Sequence, residues 1–125
     1  MKTQEDVEIL EKTIGQLDTI YIEISLLSKK SPNDAVNTFK LKLINSVLQL
    51  ANTILGDGYK PFDEFEQFNK DDVPSTSDVV FVISQYRKEI KRFREDNIAR
   101  DQGRKLVYIL NGELSGVHAD PNMRN

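Results

Sequence analysis

The residue types that most often carry enzyme chemistry are rare in this sequence. It has one histidine, His118, and no cysteine. A nucleophilic triad or a zinc site needs a histidine beside a nucleophile, an acid or a second ligand, and no such spacing surrounds His118. A metal-free nuclease of the arginine-plus-histidine kind would hold both residues on one helix, whereas Arg104 and His118 lie on opposite sides of a predicted turn. We therefore expect no catalytic residue, and a His118 that is solvated or caps a hairpin.

Carboxylates cluster in residues 57–74, but without the spacing of a metal site. The EF-hand pattern D-x-[DN]-x-[DN]-G is absent, and so are the glycine-rich patterns of phosphate-binding loops. The sequence therefore predicts no metal ion, no cofactor and no enzymatic activity. The acids in question are Asp63, Glu64, Glu66, Asp71 and Asp72.

Positive charge is concentrated in residues 87–105, although the chain as a whole has a formal net charge of −3. The commonest interpretation of such a stretch is a solvated helix face. It could also contact an anionic partner, either an acidic protein or the backbone of a nucleic acid. Overall acidity and the lack of interleaved stacking aromatics favour the protein. The residues predicted to make this contact are Arg87, Lys88, Lys91, Arg92 and Arg94.

The elements that must position these residues are predicted to be three long helices, at about residues 4–29, 32–55 and 75–97. In the first, apolar residues alternate at spacings of three and four, which is typical of a seam between packed helices. The second is predicted to start at Ser31-Pro32 and to end at Gly56-Asp57-Gly58. The third opens with the capping-box spacing of Ser75 and Asp78. Its apolar face is formed by Val79, Ile83, Tyr86, Ile90 and Phe93.

The second helix has an unusually broad apolar face, which predicts contact with more than one other element. Its short connection to the first helix predicts that the two are antiparallel neighbours. The residues of this apolar face are Val36, Phe39, Leu43, Ile44, Val47, Leu48, Leu50, Ala51, Ile54 and Leu55.

Three phenylalanines, Phe62, Phe65 and Phe68, recur every third residue in the crossover between helices 2 and 3. Their simplest role is to fix the crossover to the bundle while the acids face water. The alternative is an acidic and aromatic surface that contacts a partner protein.

Residues 105–118 predict a β-hairpin, because Asn111-Gly112 follows a β-branched and aromatic run. A two-residue turn would place Leu110 opposite Glu113, Ile109 opposite Leu114, and Tyr108 opposite Ser115. The rival interpretation is a short fourth helix that ends at Asn111-Gly112. One face of the hairpin would pack on the helices. The other, with Tyr108 and Leu110, is apolar enough to contact a second subunit.

The sequence thus predicts a mainly α single domain over residues 1–125: a three-long-helix bundle with a short C-terminal β-hairpin. The tail, residues 119–125, is expected to bury little. No apolar run approaches the ~20 residues that span a bilayer. Acids near the N-terminus and the lack of cysteine indicate a cytoplasmic protein, by default bacterial.

The predicted function is a non-enzymatic protein-interaction or accessory module, of toxin-neutralising or immunity type. We expect it to self-associate, through the hairpin or through charge complementarity between copies. The alternative is a nucleic-acid-associated regulator that uses the basic residues of helix 3.

Overall fold

The computed structural model describes residues 1–123 and shows a mainly α fold, which confirms the predicted class. The helices are α1 (Gln4–Lys30), α2 (Thr38–Tyr59) and α3 (Thr76–Asp96). They are followed by a three-stranded antiparallel sheet in the order β1-β2-β3. Its strands are β1 (Ile98–Arg100), β2 (Leu106–Leu110) and β3 (Glu113–His118). The short helical turns Lys70–Asp72 and Pro121–Met123 complete the structure.

Capping boxes fix the starts of α1 and α3. At α3, the Ser75 hydroxyl accepts from the Asp78 backbone N–H at 3.2 Å, and the Asp78 carboxylate accepts from the Ser75 N–H at 3.0 Å. Thr3 and Asp6 form the same reciprocal pair at α1. These bonds satisfy backbone donors that have no partner within the helix. The capping box predicted at Ser75 is therefore confirmed.

The predicted start of helix 2 at residue 32 is wrong, since α2 begins at Thr38 with Asn37 as its cap. The backbone of residues 34–36 pairs instead with the segment that leads into α3. The Val36 N–H donates to the Pro74 carbonyl at 3.0 Å, and the Thr76 N–H donates to the Asp34 carbonyl at 2.9 Å. These long-range bonds prevent the segment from continuing as a helix. At the other end α2 kinks at Gly56, where φ is 58°, and continues to Tyr59.

This pairing places the start of α3 beside the connection between α1 and α2. Consequently α3 runs parallel to α2 and antiparallel to α1. At the far end of the parallel pair, the Tyr59 and Phe93 rings meet edge to face with centroids 5.2 Å apart. The core lies where the three helices meet, and Leu17, Ile83 and Ile90 are fully buried there.

The hairpin is confirmed, with Leu110 opposite Glu113 and Ile109 opposite Leu114. Asn111 and Gly112 have φ values of 53° and 78°, the left-handed conformations that a tight hairpin turn requires.

The ladder then becomes irregular, so the predicted pairing of Tyr108 with Ser115 is wrong. Val107 pairs with His118, and the Ser115 hydroxyl donates to the Tyr108 carbonyl at 2.6 Å. The sheet also has a strand that was not predicted, β1, which pairs with β2 through Ile98 and Tyr108.

The segment after β3 is held against the bundle, contrary to the prediction for the tail. Ala119 is buried, and its N–H donates to the Leu106 carbonyl at 2.9 Å. Met123 is half-buried and packs against the core. Residues 124 and 125 lie outside the described part of the chain.

Candidate protein-interaction surface

Arg94 is buried rather than exposed, so its prediction as a contact for an anionic partner is wrong. Only 1% of its surface is accessible. Its Nε donates to the Tyr108 hydroxyl at 2.9 Å, and its Nη2 donates to the Asp120 carbonyl at 2.7 Å. Arg94 lies four residues after Ile90, on the apolar face of α3, and Tyr108 of the sheet contacts it at that end of the helix.

Arg87 and Lys91, which were also predicted to contact an anionic partner, form ion pairs within the molecule. Arg87 Nε lies 2.8 Å from an Asp18 carboxylate oxygen, and Lys91 Nζ lies 3.2 Å from the same oxygen. The guanidinium of Arg87 also covers the Tyr21 ring, 4.2 Å from its centroid. These contacts join α3 to α1, and both basic side chains are largely shielded from solvent, with 24% and 12% accessible.

The remaining two basic residues of the set, Lys88 and Arg92, are exposed. Arg92 pairs with Glu89 at 2.7 Å and stacks on Tyr59, with the guanidinium carbon 4.3 Å from the ring centroid. The five residues therefore do not form one continuous basic surface. Most of their charge is used in contacts within the bundle.

The phenylalanines of the crossover pack on the groove between α2 and α3. The Phe65 ring centroid lies 5.0 Å from that of Phe68 and 6.4 Å from that of Tyr86. Phe68 is buried, so its prediction as a contact for a partner protein is wrong. Phe62 and Phe65 are half-buried, and Phe62 lies beside the exposed ring of Phe81 at 6.1 Å.

Two asparagines of α2 hold the crossover in place. Asn45 donates to the Phe68 carbonyl and accepts from the Phe68 N–H, both at 2.8 Å. Asn52 donates to the Glu66 carbonyl at 2.8 Å and accepts from the Tyr86 hydroxyl at 2.7 Å. Burial raises the pKa of Tyr86 to about 12.

Tyr108 is fully buried, so it is not a contact for a second subunit as predicted. Its side chain faces the bundle, where Arg94 reaches its hydroxyl. Leu110 is half-buried. The apolar residue that the hairpin does expose is Leu114, with 53% of its surface accessible.

A groove between α1 and α2 is an apolar surface that the sequence did not predict. It has a volume of ≈ 680 Å³. Its α1 wall includes Gly15, Gln16 and Thr19, and its α2 wall includes Leu43 and Leu50. The crossover covers α2 from the α3 side and leaves this groove open.

The outer edge of the groove is a ridge along α2, which we define by Phe39, Leu43, Ser46 and Leu50. The spacing is four, three and four residues, which aligns the side chains along one line of the helix. Phe39, Leu43 and Leu50 are 70%, 52% and 41% exposed, so other elements leave part of the broad apolar face of helix 2 uncovered. A second depression, of ≈ 1020 Å³ and more polar, lies on the other side of the ridge, between α2 and the crossover.

The α1 wall of the groove borders open space. Among residues 1–123, no heavy atom lies within 4 Å of the position that a Cβ on Gly15 would take. Within the same range, the buried side-chain oxygen of Gln16 has no hydrogen-bond partner. A buried acceptor without a donor is unfavourable, and an incoming polar group would relieve it. The breadth of the apolar face of helix 2 was the available sequence signal.

Within residues 1–123, no three His, Cys, Asp or Glu side chains are placed to hold a metal ion. His118 is exposed at the end of β3. The described helices include none with the length and hydropathy needed to cross a bilayer. Comparison with protein-family models, curated proteins and solved structures gives no match to this chain.

Proposed function

We propose that this chain is a non-enzymatic protein-interaction module that docks a partner helix at the α1–α2 groove and the α2 ridge. The observation that carries the proposal is the exposure of Phe39, Leu43 and Leu50 along the α2 ridge, of which Leu43 and Leu50 line the apolar groove. Contiguous exposed apolar surface is typical of interaction sites, and helices dock into such grooves through anchors spaced three and four residues apart. A toxin-neutralising or immunity role is one biological form of this activity.

The alternative, a nucleic-acid-associated regulator, has less support. It needs a set of basic side chains free to contact phosphates. Arg87 and Arg94 contact groups of the bundle itself, and Arg92 pairs with Glu89. Exposed basic residues remain at Lys88 and in the loop after β1, at Arg104 and Lys105. So few exposed basic side chains would bind a nucleic acid only weakly, and the binding would be sensitive to salt.

Leu43 and Leu114 provide a matched pair of variants for the experiment, because their exposed fractions are 52% and 53%. Leu43→Glu introduces a charge into the groove, and Leu114→Glu introduces the same charge on the hairpin. The immobilised wild type and both variants are compared for the proteins that each retains from cells of the source organism. We expect a protein retained by the wild type and by Leu114→Glu, but reduced about tenfold or more by Leu43→Glu.

Equal retention by both variants would contradict the proposed site. Binding of the wild type to generic duplex DNA, falling steeply as salt is raised, would support the nucleic-acid alternative instead.

A further inference from the structure

We propose that the partner helix is α2 of a second copy of this chain, so that the two α2 ridges pack antiparallel about a two-fold axis near Ser46 and Val47. This inference rests on the proposed function, because it names the partner that contacts the same surface.

The first argument is that this surface is complementary to itself. The α2 ridge stands between two depressions, the α1–α2 groove on one side and the α2–crossover depression on the other. A two-fold axis perpendicular to α2 sets the two ridges against each other, with the side chains of one between those of the other, and joins the α1–α2 grooves of both copies along one side of the contact. Ser46, at the middle of the ridge, is small enough to let the two helices approach closely.

The second argument is the pairing of residues that the two-fold axis produces. With the axis between Ser46 and Val47, Leu43 lies opposite Leu50 of the second copy. Phe39 then lies opposite Ile54 of the second copy, which is half-buried in the monomer. Each of the exposed apolar side chains of the ridge therefore meets an apolar residue. The open space beside Gly15 lies on the same side of this contact in both copies, where the two grooves join.

The third argument is charge. The first turn of α2 contains no acid, its last turn contains no basic residue, and Lys40 lies in the first turn. A cation there is opposed by the helix dipole. Antiparallel packing brings Lys40 and Lys42 beside the last turn of the other α2, where backbone carbonyls and the exposed Asp57 carry negative charge. Parallel packing would instead bring the lysines of both copies together.

The test is the mass of the purified protein in solution. Sedimentation velocity across a hundredfold range of concentration should show wild-type particles of twice the monomer mass of 14.3 kDa. Leu43→Glu should weaken the dimer at least about a hundredfold, because it places two charges in an apolar interface. Leu114→Glu should leave the dimer unchanged.

Gly15→Glu provides a variant in which loss of folding cannot explain the result. Its new side chain meets no atom of the monomer within 4 Å at Cβ, and any residue other than proline favours helix more than glycine does. It should keep the circular dichroism of the wild type and still lose the dimer, since it fills the groove.

Orientation is tested with single cysteines, which is straightforward because the natural chain has none. Under mild oxidation Ser46→Cys should form a covalent dimer, since the two-fold axis brings both copies of that position together. Phe39→Cys should not, because antiparallel packing separates the two copies of that position by most of the length of α2. Faster cross-linking of Phe39→Cys would overturn the antiparallel arrangement.

The outcomes separate this inference from the proposed function. If the wild type is monomeric at every concentration, the partner helix does not come from a second copy and the inference is wrong. If that monomer still retains a protein that Leu43→Glu loses, the groove stands as a docking site for a different partner. A dimer that Leu114→Glu dissociates and Leu43→Glu does not would place the interface on the hairpin and overturn the inference.

Discussion

Arg94 carries a positive charge into the core and satisfies it with neutral acceptors, the Tyr108 hydroxyl and the Asp120 carbonyl. Its guanidinium joins α3, β2 and the segment after β3 at one point. A planar group with several donors can bond in divergent directions, which a lysine ammonium does less well. Arg94 is thus a structural residue that positions the sheet on the bundle.

We predict that Arg94 and Lys88 differ sharply in their contribution to stability. Arg94→Met should lower the free energy of unfolding by more than about 2 kcal/mol, because it leaves buried acceptors without donors. Lys88→Met should change it by less than about 0.5 kcal/mol, because that side chain is exposed. Urea denaturation of both variants measures the difference, and equal effects would contradict the structural role of Arg94.

Tyr86 makes the free energy of unfolding depend on pH in a defined direction. Its pKa is raised by burial to about 12, whereas an unfolded tyrosine has a pKa of about 10. The native state therefore holds the phenolic proton at pH values where the unfolded state has lost it. This contribution to stability is fully present below about pH 10 and is lost as pH rises towards about 12. Tyr108, whose pKa burial also raises, contributes to the same loss.

The measurement is urea unfolding of the wild type and of Tyr86→Phe at about pH 8 and about pH 11. The variant should be less stable at the lower pH, because Asn52 loses a hydrogen-bond partner. It should also lose less stability between the two pH values, because one phenol with a raised pKa has been removed. An identical decline in both proteins would show that Tyr86 is not responsible.

At the scale of elements, the sequence predicts well where a signal is local. Ser75 and Asp78 define the start of α3 within one helical turn, and Asn111-Gly112 defines the hairpin turn. The predicted start at Ser31-Pro32 had comparable local strength, yet it failed because residues 34–36 pair with residues more than thirty positions away. Strand β1 has three residues, too few for a periodic pattern, and it exists only because β2 lies beside it.

The candidate site was predicted poorly for a related reason. The basic residues of α3 are close in sequence, but a helix spreads them over nearly half of its circumference, and their partners Asp18 and Tyr108 belong to other elements. A groove is defined by the space that neighbouring elements leave, and no residue type marks it. Only the excess width of the apolar face of helix 2 pointed to an uncovered part of that helix.

The crossover is the element whose position depends most on single side chains. Asn45 makes two hydrogen bonds with the backbone of Phe68. We predict that Asn45→Ala lowers the free energy of unfolding by about 1–3 kcal/mol, since the carbonyl and N–H of Phe68 both lose their partner. Limited proteolysis should then cut residues 61–75 faster than in the wild type. Lys42→Ala, an exposed change one turn earlier on α2, is the control and should leave the cleavage rate unchanged.

Across the whole molecule, the three grooves between helices differ in the contacts that close or cover them. The α1–α3 groove is closed by the contacts of Asp18 with Arg87 and Lys91. The α2–α3 groove is covered by the crossover through Asn45 and Asn52. The α1–α2 groove has no such cover, and α1 contacts α2 less extensively than it contacts α3. This asymmetry explains why the exposed apolar side chains of α2 lie on one side of the bundle.

The dominance of the α1–α3 contact also determines when the protein can fold during its synthesis. The Asp18–Arg87 pair joins residues 69 positions apart, so the main helix pairing closes a long loop. When the ribosome has released only α1 and α2, the surface of α1 that packs on α3 is still exposed. During that interval, a chaperone or another nascent chain on the same messenger competes with α3 for the exposed surface of α1.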